Sequence, residues 1–267
     1  MTHPLFDLSG RVALVSGAAQ GMGRAMAIAF AEVGADLMLA DTNAEGVQAT
    51  AATIEKLGRR AVPVVCDVTD VGQIRAMFAR LDREFGRLDV LGNVAGPGFL
   101  ARPEEIALEQ MEKVVHGLVV ARFYCCQEAG RRMLAAGKGS IINIASIGGV
   151  TALGRGNFAY SVGMGAVIQM TRELSTEWSG RGVRVNAILP AQVMNPSLAA
   201  RMQADPNLEA TFLRGIPIGR LGQPDDIKGL AIFLASDASA WITGALIPMD
   251  GGNLAMNAGG TAGKRKG

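Results

Sequence analysis

The chain has 267 residues, 49% of them hydrophobic and 19% charged, which suits one large α/β core better than two small ones. Its formal net charge is +2, of which Lys264, Arg265 and Lys266 contribute +3, leaving −1 on the remainder and no basic face for nucleic acid. Cys66, Cys125 and Cys126 are an odd set without Cys-x-x-Cys spacing, as expected of buried free thiols in a reducing cytosol. No secretory pattern opens the chain, and no apolar run nears the ~18–20 residues a bilayer span needs. A cytoplasmic protein off the membrane is expected.

Short apolar runs then alternate with helical patterns. Residues 11–17 (RVALVSG) read as a buried strand and 22–33 as a helix stopped by Gly34. Strand 36–41 precedes helix 44–57, stopped by Gly58, and strand 61–67 precedes helix 71–85, stopped by Gly86. Strand 88–94 leads into a helical stretch, 103–136, that reads as two pieces. Strand 139–146, a long helix 157–179 and strand 183–189 follow. A helical insertion at 195–213, a helix at 225–234 and a strand at 245–250 complete the series. Strands that are apolar throughout and separated by helices belong in a parallel sheet covered on both faces. The expected fold class is therefore α/β, one doubly wound sheet of about seven strands over residues 1–252. Residues 253–267, Gly/Ala-rich with a basic end, are expected to form a flexible tail.

Between the first strand and first helix lies Ser16-Gly17-Ala18-Ala19-Gln20-Gly21-Met22-Gly23, a Gly-x-x-x-Gly-x-Gly spacing. Glycines permit a tight turn and let a pyrophosphate approach a helix N-terminus, where free N–H groups and the dipole favour anions. Alone, such a turn is equally a plain connection. Asp41 falls 24 residues after Gly17, at the end of the second strand. A carboxylate there would bond the adenosine ribose hydroxyls and repel a 2′-phosphate; a solvated strand-end carboxylate is the plainer reading. Thr42 and Asn43 offer no arginine for that phosphate, and Gln20 rather than a basic residue precedes Gly21. NAD is favoured over NADP.

Further motifs join these: Cys66-Asp67-Val68, Asn93-Val94-Ala95-Gly96, GSIINIAS ending at Ser146, Tyr160, Arg184-Val185-Asn186-Ala187, and Thr243-Gly244 leading to Asp250-Gly251-Gly252. Together they make residues 8–252 resemble the short-chain dehydrogenase/reductase family. The resemblance implies a Rossmann-like fold and a cofactor site formed by Gly17, Gln20, Gly21, Met22, Gly23 and Asp41. It implies that Asp67 and Val68 hold the adenine, that Asn93, Ala95 and Gly96 line the cofactor, and that Pro190 and Val193 flank the nicotinamide beside Tyr160. It also implies that Ser146 binds the substrate oxygen, that Tyr160 is the acid–base group, and that helices 103–136 and 157–179 build a homotetramer.

The chain departs from that pattern where the chemistry would occur. Met164 stands four residues after Tyr160, where the family carries a lysine. Leu118 takes the place of the relay asparagine, Ala191 that of a glycine and Asn195 that of a threonine. The adenosine half keeps its motifs, so the pattern reads as a repurposed site rather than scattered decay. An unassisted phenol titrates near ~10, so oxidation should suffer more than reduction. His116, displaced by a helix distortion at Gly117, or Arg155 could stand in for the lysine; a surface histidine and a solvated arginine are the plainer readings. With two histidines and no clustered ligands, no metal is expected. The leading expectation is an NAD(H)-dependent oxidoreductase interconverting a small-molecule alcohol and carbonyl by an altered relay. The alternatives are an NAD-retaining enzyme of non-redox net reaction, such as rearrangement or C–C cleavage, and a non-catalytic NAD-binding or scaffolding protein.

Overall fold

The computed structural model of the chain describes residues 3–96 and 98–256. Its strands are β1 (Val12–Ser16), β2 (Asp36–Asp41), β3 (Ala61–Val65), β4 (Val90–Asn93), β5 (Gly139–Ile144), β6 (Val183–Pro190) and β7 (Leu246–Met249). All pair in parallel, in the order β3-β2-β1-β4-β5-β6-β7. The order reverses between β1 and β4, which opens a crevice at the carboxyl ends of the strands, the usual place for a ligand in such sheets. Strands β1, β4 and β5 are buried at every residue, as their unbroken apolar runs require.

Helices α1 (Gly21–Glu32), α2 (Ala44–Glu55) and α3 (Val71–Phe85) follow the first three strands. Asn43 opens α2 by accepting from the Gly46 N–H, and Asp70 opens α3 by accepting from Gly72 and Gln73. One face of the sheet packs Met26 and Phe30 of α1, with Leu234 of the later helix α9 (Lys228–Ala235), against Val15, Leu39 and Ile142. The other packs Phe78 and Leu81 of α3 with Cys125 and Met133 of α5 (Ala121–Ala136) against Leu14, Met38 and Ile141. All three cysteines are buried free thiols. Burial pushes Cys66 up to about 11 and Cys126 up to about 12, so both remain neutral.

The structure revises several boundaries. The stretch expected from 103 becomes helical only at α4 (Leu108–Val115). It then runs into α5 through a single wide π turn, His116–Val120, rather than through a coil break. The distortion expected at Gly117 thus falls inside that turn. The long helix is α6 (Phe158–Trp178), and the 195–213 insertion divides into α7 (Pro196–Ala204) and α8 (Leu208–Leu213). Strand five stops at Ile144, and Ser146 instead caps a short 3-10 turn by accepting from Gly148 N–H at 3.1 Å. Arg184 and Asn186 fasten the segment between α9 and β7, through the Leu234, Ser236 and Ile242 carbonyls. Of the stretch expected as a tail, Leu254 is tied back to the fold: Asp250 accepts from the N–H groups of Gly252 and Leu254. Residues 257–267, which carry its basic end, lie outside the described residues. No helix among the described residues is long and apolar enough to cross a membrane.

Candidate active site

The carboxyl ends of β1, β2 and β4 form one half of the crevice. Gly23 is forced by packing: a Cβ there would lie 2.1 Å from the Gly17 carbonyl oxygen. Gly17 itself has φ +70° and sits against the Ala95 main chain. Ser16 Oγ ties the turn to β4 by accepting from Val94 and Ala95 N–H. Helix α1 then starts without a side-chain cap from Gln20, so the N–H groups of Gly21, Met22 and Gly23 face the turn without an intrahelical acceptor. The side chain of Met22 packs into the core. This glycine-walled helix start suits a pyrophosphate.

Asp41 Oδ2 accepts from Ala19 N–H at 3.0 Å and Oδ1 from Asn43 N–H at 3.0 Å. The carboxylate thereby holds the glycine turn and retains lone pairs for a diol. Asp67 Oδ1 accepts from the Thr69 N–H and hydroxyl, leaving Oδ2 without a partner among the described residues, and Val68 beside it is buried. Asn93 ends β4 with its side chain buried, donating to Arg122 O and Asn143 Oδ1 and bracing β4 against α5 and β5.

Toward β5 and β6 a cavity of about 530 Å³ brings Gly96, Ser146, Tyr160, Gln192 and Val193 together. The Tyr160 hydroxyl makes no hydrogen bond to a described residue, and Ser146 Oγ keeps its proton free while accepting from Gly148. Gln192 Oε1 is buried without a partner, an orphan acceptor suited to an amide group. Pro190 is buried at the end of β6, and Val193 bridges to Gly222. Asn195 caps α7 by accepting from Leu198 N–H. Arg155, Arg201 and Phe212 complete the outer wall.

A family model described as enoyl-(acyl carrier protein) reductase matches residues 17–253. The chain belongs to the short-chain dehydrogenase/reductase family. It is 41% identical over 247 residues to D-threitol dehydrogenase of Mycolicibacterium smegmatis, covering 92% of this chain and 94% of that protein. The structure of a putative short-chain alcohol dehydrogenase from Sinorhizobium meliloti aligns at TM-score 0.89 and 38% identity, over 94% of this chain and 99% of that one. That of a putative NAD(P)-dependent gluconate 5-dehydrogenase from Beutenbergia cavernae, with bound NADP, aligns at 0.88 and 37%, over 94% and 99%. The chain is accordingly an NAD(P)-dependent oxidoreductase of this family.

Four residues after Tyr160 on α6 stands Met164. Met164 is buried with Val114, Leu118, Ala145 and Ile147, an apolar cluster against which Tyr160 packs. Leu118 lies between Gly96 and Gly163, close enough that a Cβ on either would meet its side chain at 2.6 or 2.9 Å. His116 is no stand-in for the lysine: it is exposed, and its Nε2 is 2.9 Å from Thr69 O. Among the described residues no cluster of metal ligands exists. One residue escaped the sequence reading. Arg122 is 3% exposed and donates to the carbonyls of Ala95 (3.2 Å), Val94 (2.9 Å) and Ile144. Burial pushes its guanidinium down, opposed by the facing Tyr160, Cys126 and Cys125. Its signal was legible as a charge on the 122-126-129-133 stripe of a helix whose other members are apolar.

Proposed function

We propose that the chain is an NAD(H)-dependent oxidoreductase that interconverts a small polyhydroxy alcohol or hydroxy acid with its carbonyl form. The observation that carries this reading is the shared cavity of Ser146 and Tyr160, whose wall residue Gly96 follows the Ala95 main chain that Gly17 of the glycine turn touches. A bound nicotinamide would supply or accept the hydride. Ser146 Oγ–H donates to the substrate oxygen and holds it, while Tyr160 gives the proton during reduction and takes it during oxidation. Asp41 favours NAD because its carboxylate would repel a 2′-phosphate, and neither Thr42 nor Asn43 offers it a cation. The substrate class follows relatives acting on D-threitol and gluconate. Arg155 and Arg201, unmatched by any acidic residue on the cavity wall, favour members with an anionic end. The exposed Val120, Phe123, Phe158 and Val162 on α5, α6 and the π turn support a homotetramer assembled through those helices.

The test is a fluorescence titration with NADH and NADPH, followed by hydride-transfer assays across matched polyols and hydroxy acids. NADH should bind at least about tenfold more tightly than NADPH, and turnover should be measurable with a four- to six-carbon substrate. Equal affinity for NADPH would defeat the cofactor assignment. A tightly held NADH with no net turnover on either series would favour a non-redox net reaction instead.

A further inference from the structure

We propose that Arg122 is a positioning residue that returns to Tyr160, from α5, the positive charge that the family's lysine supplies from α6. The inference rests on the reading of Tyr160 as the acid–base group. Met164 and Arg122 are then two halves of one exchange: an apolar side chain where the cation is expected, and a cation where the helix stripe calls for an apolar one.

Four observations carry it. First, Arg122 is buried and faces no carboxylate; its ionisable neighbours are Tyr160, Cys126 and Cys125. Such a charge is costly to bury. Second, three carbonyls at the ends of β4 and β5 fix the guanidinium, yet a guanidinium has five N–H groups. Two of them have no partner among the described residues. Third, a single glycine separates it from the cavity. A Cβ on Gly96, which lines the wall with Ser146 and Tyr160, would lie 3.2 Å from Nη2 and 3.4 Å from Nε. Fourth, Leu118 fills the space between Gly96 and Gly163, one turn beyond Tyr160 on α6, so a relay asparagine is replaced by packing that encloses the guanidinium.

The charges around Tyr160 come from three directions. Arg122 of α5 lies behind the wall at Gly96, Arg155 comes from the segment before α6, and Arg201 from α7; no Asp, Glu, His or Lys among the described residues lines the cavity. Cys125 and Cys126 are held neutral by burial. During oxidation the substrate hydroxyl passes its proton to the Tyr160 oxygen and its hydride to the cofactor; reduction runs the reverse. Arg122 remains protonated in both directions and exchanges nothing. A fixed cation favours the phenolate.

The chain contains two tyrosines, Tyr124 and Tyr160, so Tyr124→Phe leaves one phenol whose ionisation can be read by ultraviolet absorbance without cofactor. In that background Arg122→Met should move the appearance of tyrosinate upward by about one pH unit or more, with Arg122→Lys restoring most of the shift. Oxidation should fall about tenfold or more in Arg122→Met and recover about tenfold when Met164→Lys is added. Met164→Lys alone should lower activity, because two cations then share one buried pocket. An unmoved tyrosinate titration, or a rise of roughly tenfold from Met164→Lys with Arg122 intact, overturns the proposal. If Arg122→Met does not fold, the Arg122→Lys and Met164→Lys measurements still decide it. If the wild type transfers no hydride while the titration shifts as expected, the reaction assignment fails and the charge pairing stands.

Discussion

The two halves of the crevice are built by different means. The half at β1 and β2 is made mostly of main chain: Gly17 and Gly23 in contact, an uncapped start to α1, and Asp41 clamping Ala19. The half toward β5 and β6 is made of side chains: Tyr160, Met164 and Leu118 in one apolar cluster, with Ser146 and the buried Arg122 beside it. A backbone site leaves few alternatives, since any Cβ at Gly23 collides with Gly17. A side-chain site can be rewired, because a charge can enter the same space from a neighbouring helix.

The sharpest way to break the comparison is Tyr160→Phe, which removes one oxygen from the side-chain half. Hydride transfer should fall roughly 10²–10⁴-fold, while the NADH dissociation constant stays within about twofold. Steady-state rates and a fluorescence titration measure both. If affinity collapses together with rate, the halves are not separable and the distinction fails.

Gly23→Ala attacks the other half. Its Cβ would be 2.1 Å from the Gly17 carbonyl oxygen, so either the turn or α1 must shift. NADH affinity should drop about tenfold or more, with a stability loss of about 1–3 kcal/mol visible in thermal melts. The Tyr160 absorbance titration should not move.

How much of this was legible in the sequence follows the same division. The strands and glycine-stopped helices read correctly, because apolar runs and left-handed glycines such as Gly34 and Gly86 are local signals. The glycine turn and Asp41 were legible for the same reason. The π turn was foreshadowed by Gly117, but its consequence for Leu118 depends on which neighbours α6 presents. The direction of the Asn93 amide was not legible, because motif position does not reveal which way a strand-end side chain turns; its partners on α5 and β5 decide that. Arg122 was overlooked because a lone arginine on an amphipathic helix is ordinarily solvated, and only tertiary packing buries it. The outer cavity wall depended on α7 and α8 folding back over β6, which no periodicity in 195–213 announces.

That outer wall gives the mildest test. Arg155 has φ +56°, between left-handed Gly154 and Gly156, and its guanidinium lies 4.9 Å from the centre of the Phe212 ring. Desolvation first, and then the charge of Arg201, push that guanidinium down. Two like charges facing one cavity without a carboxylate repel each other, and an anionic substrate group would relieve both. Arg201→Ala should therefore raise KM for hydroxy acids by about tenfold, near 1.4 kcal/mol, and leave kcat almost unchanged, since the residue stands on the wall remote from the reacting oxygen. For neutral polyols of equal length KM should change by less than about twofold. Equal losses on both series would mean that Arg201 shapes the cavity rather than reads charge, and the preference for an anionic end would have to be abandoned while the Ser146–Tyr160 chemistry remained untouched.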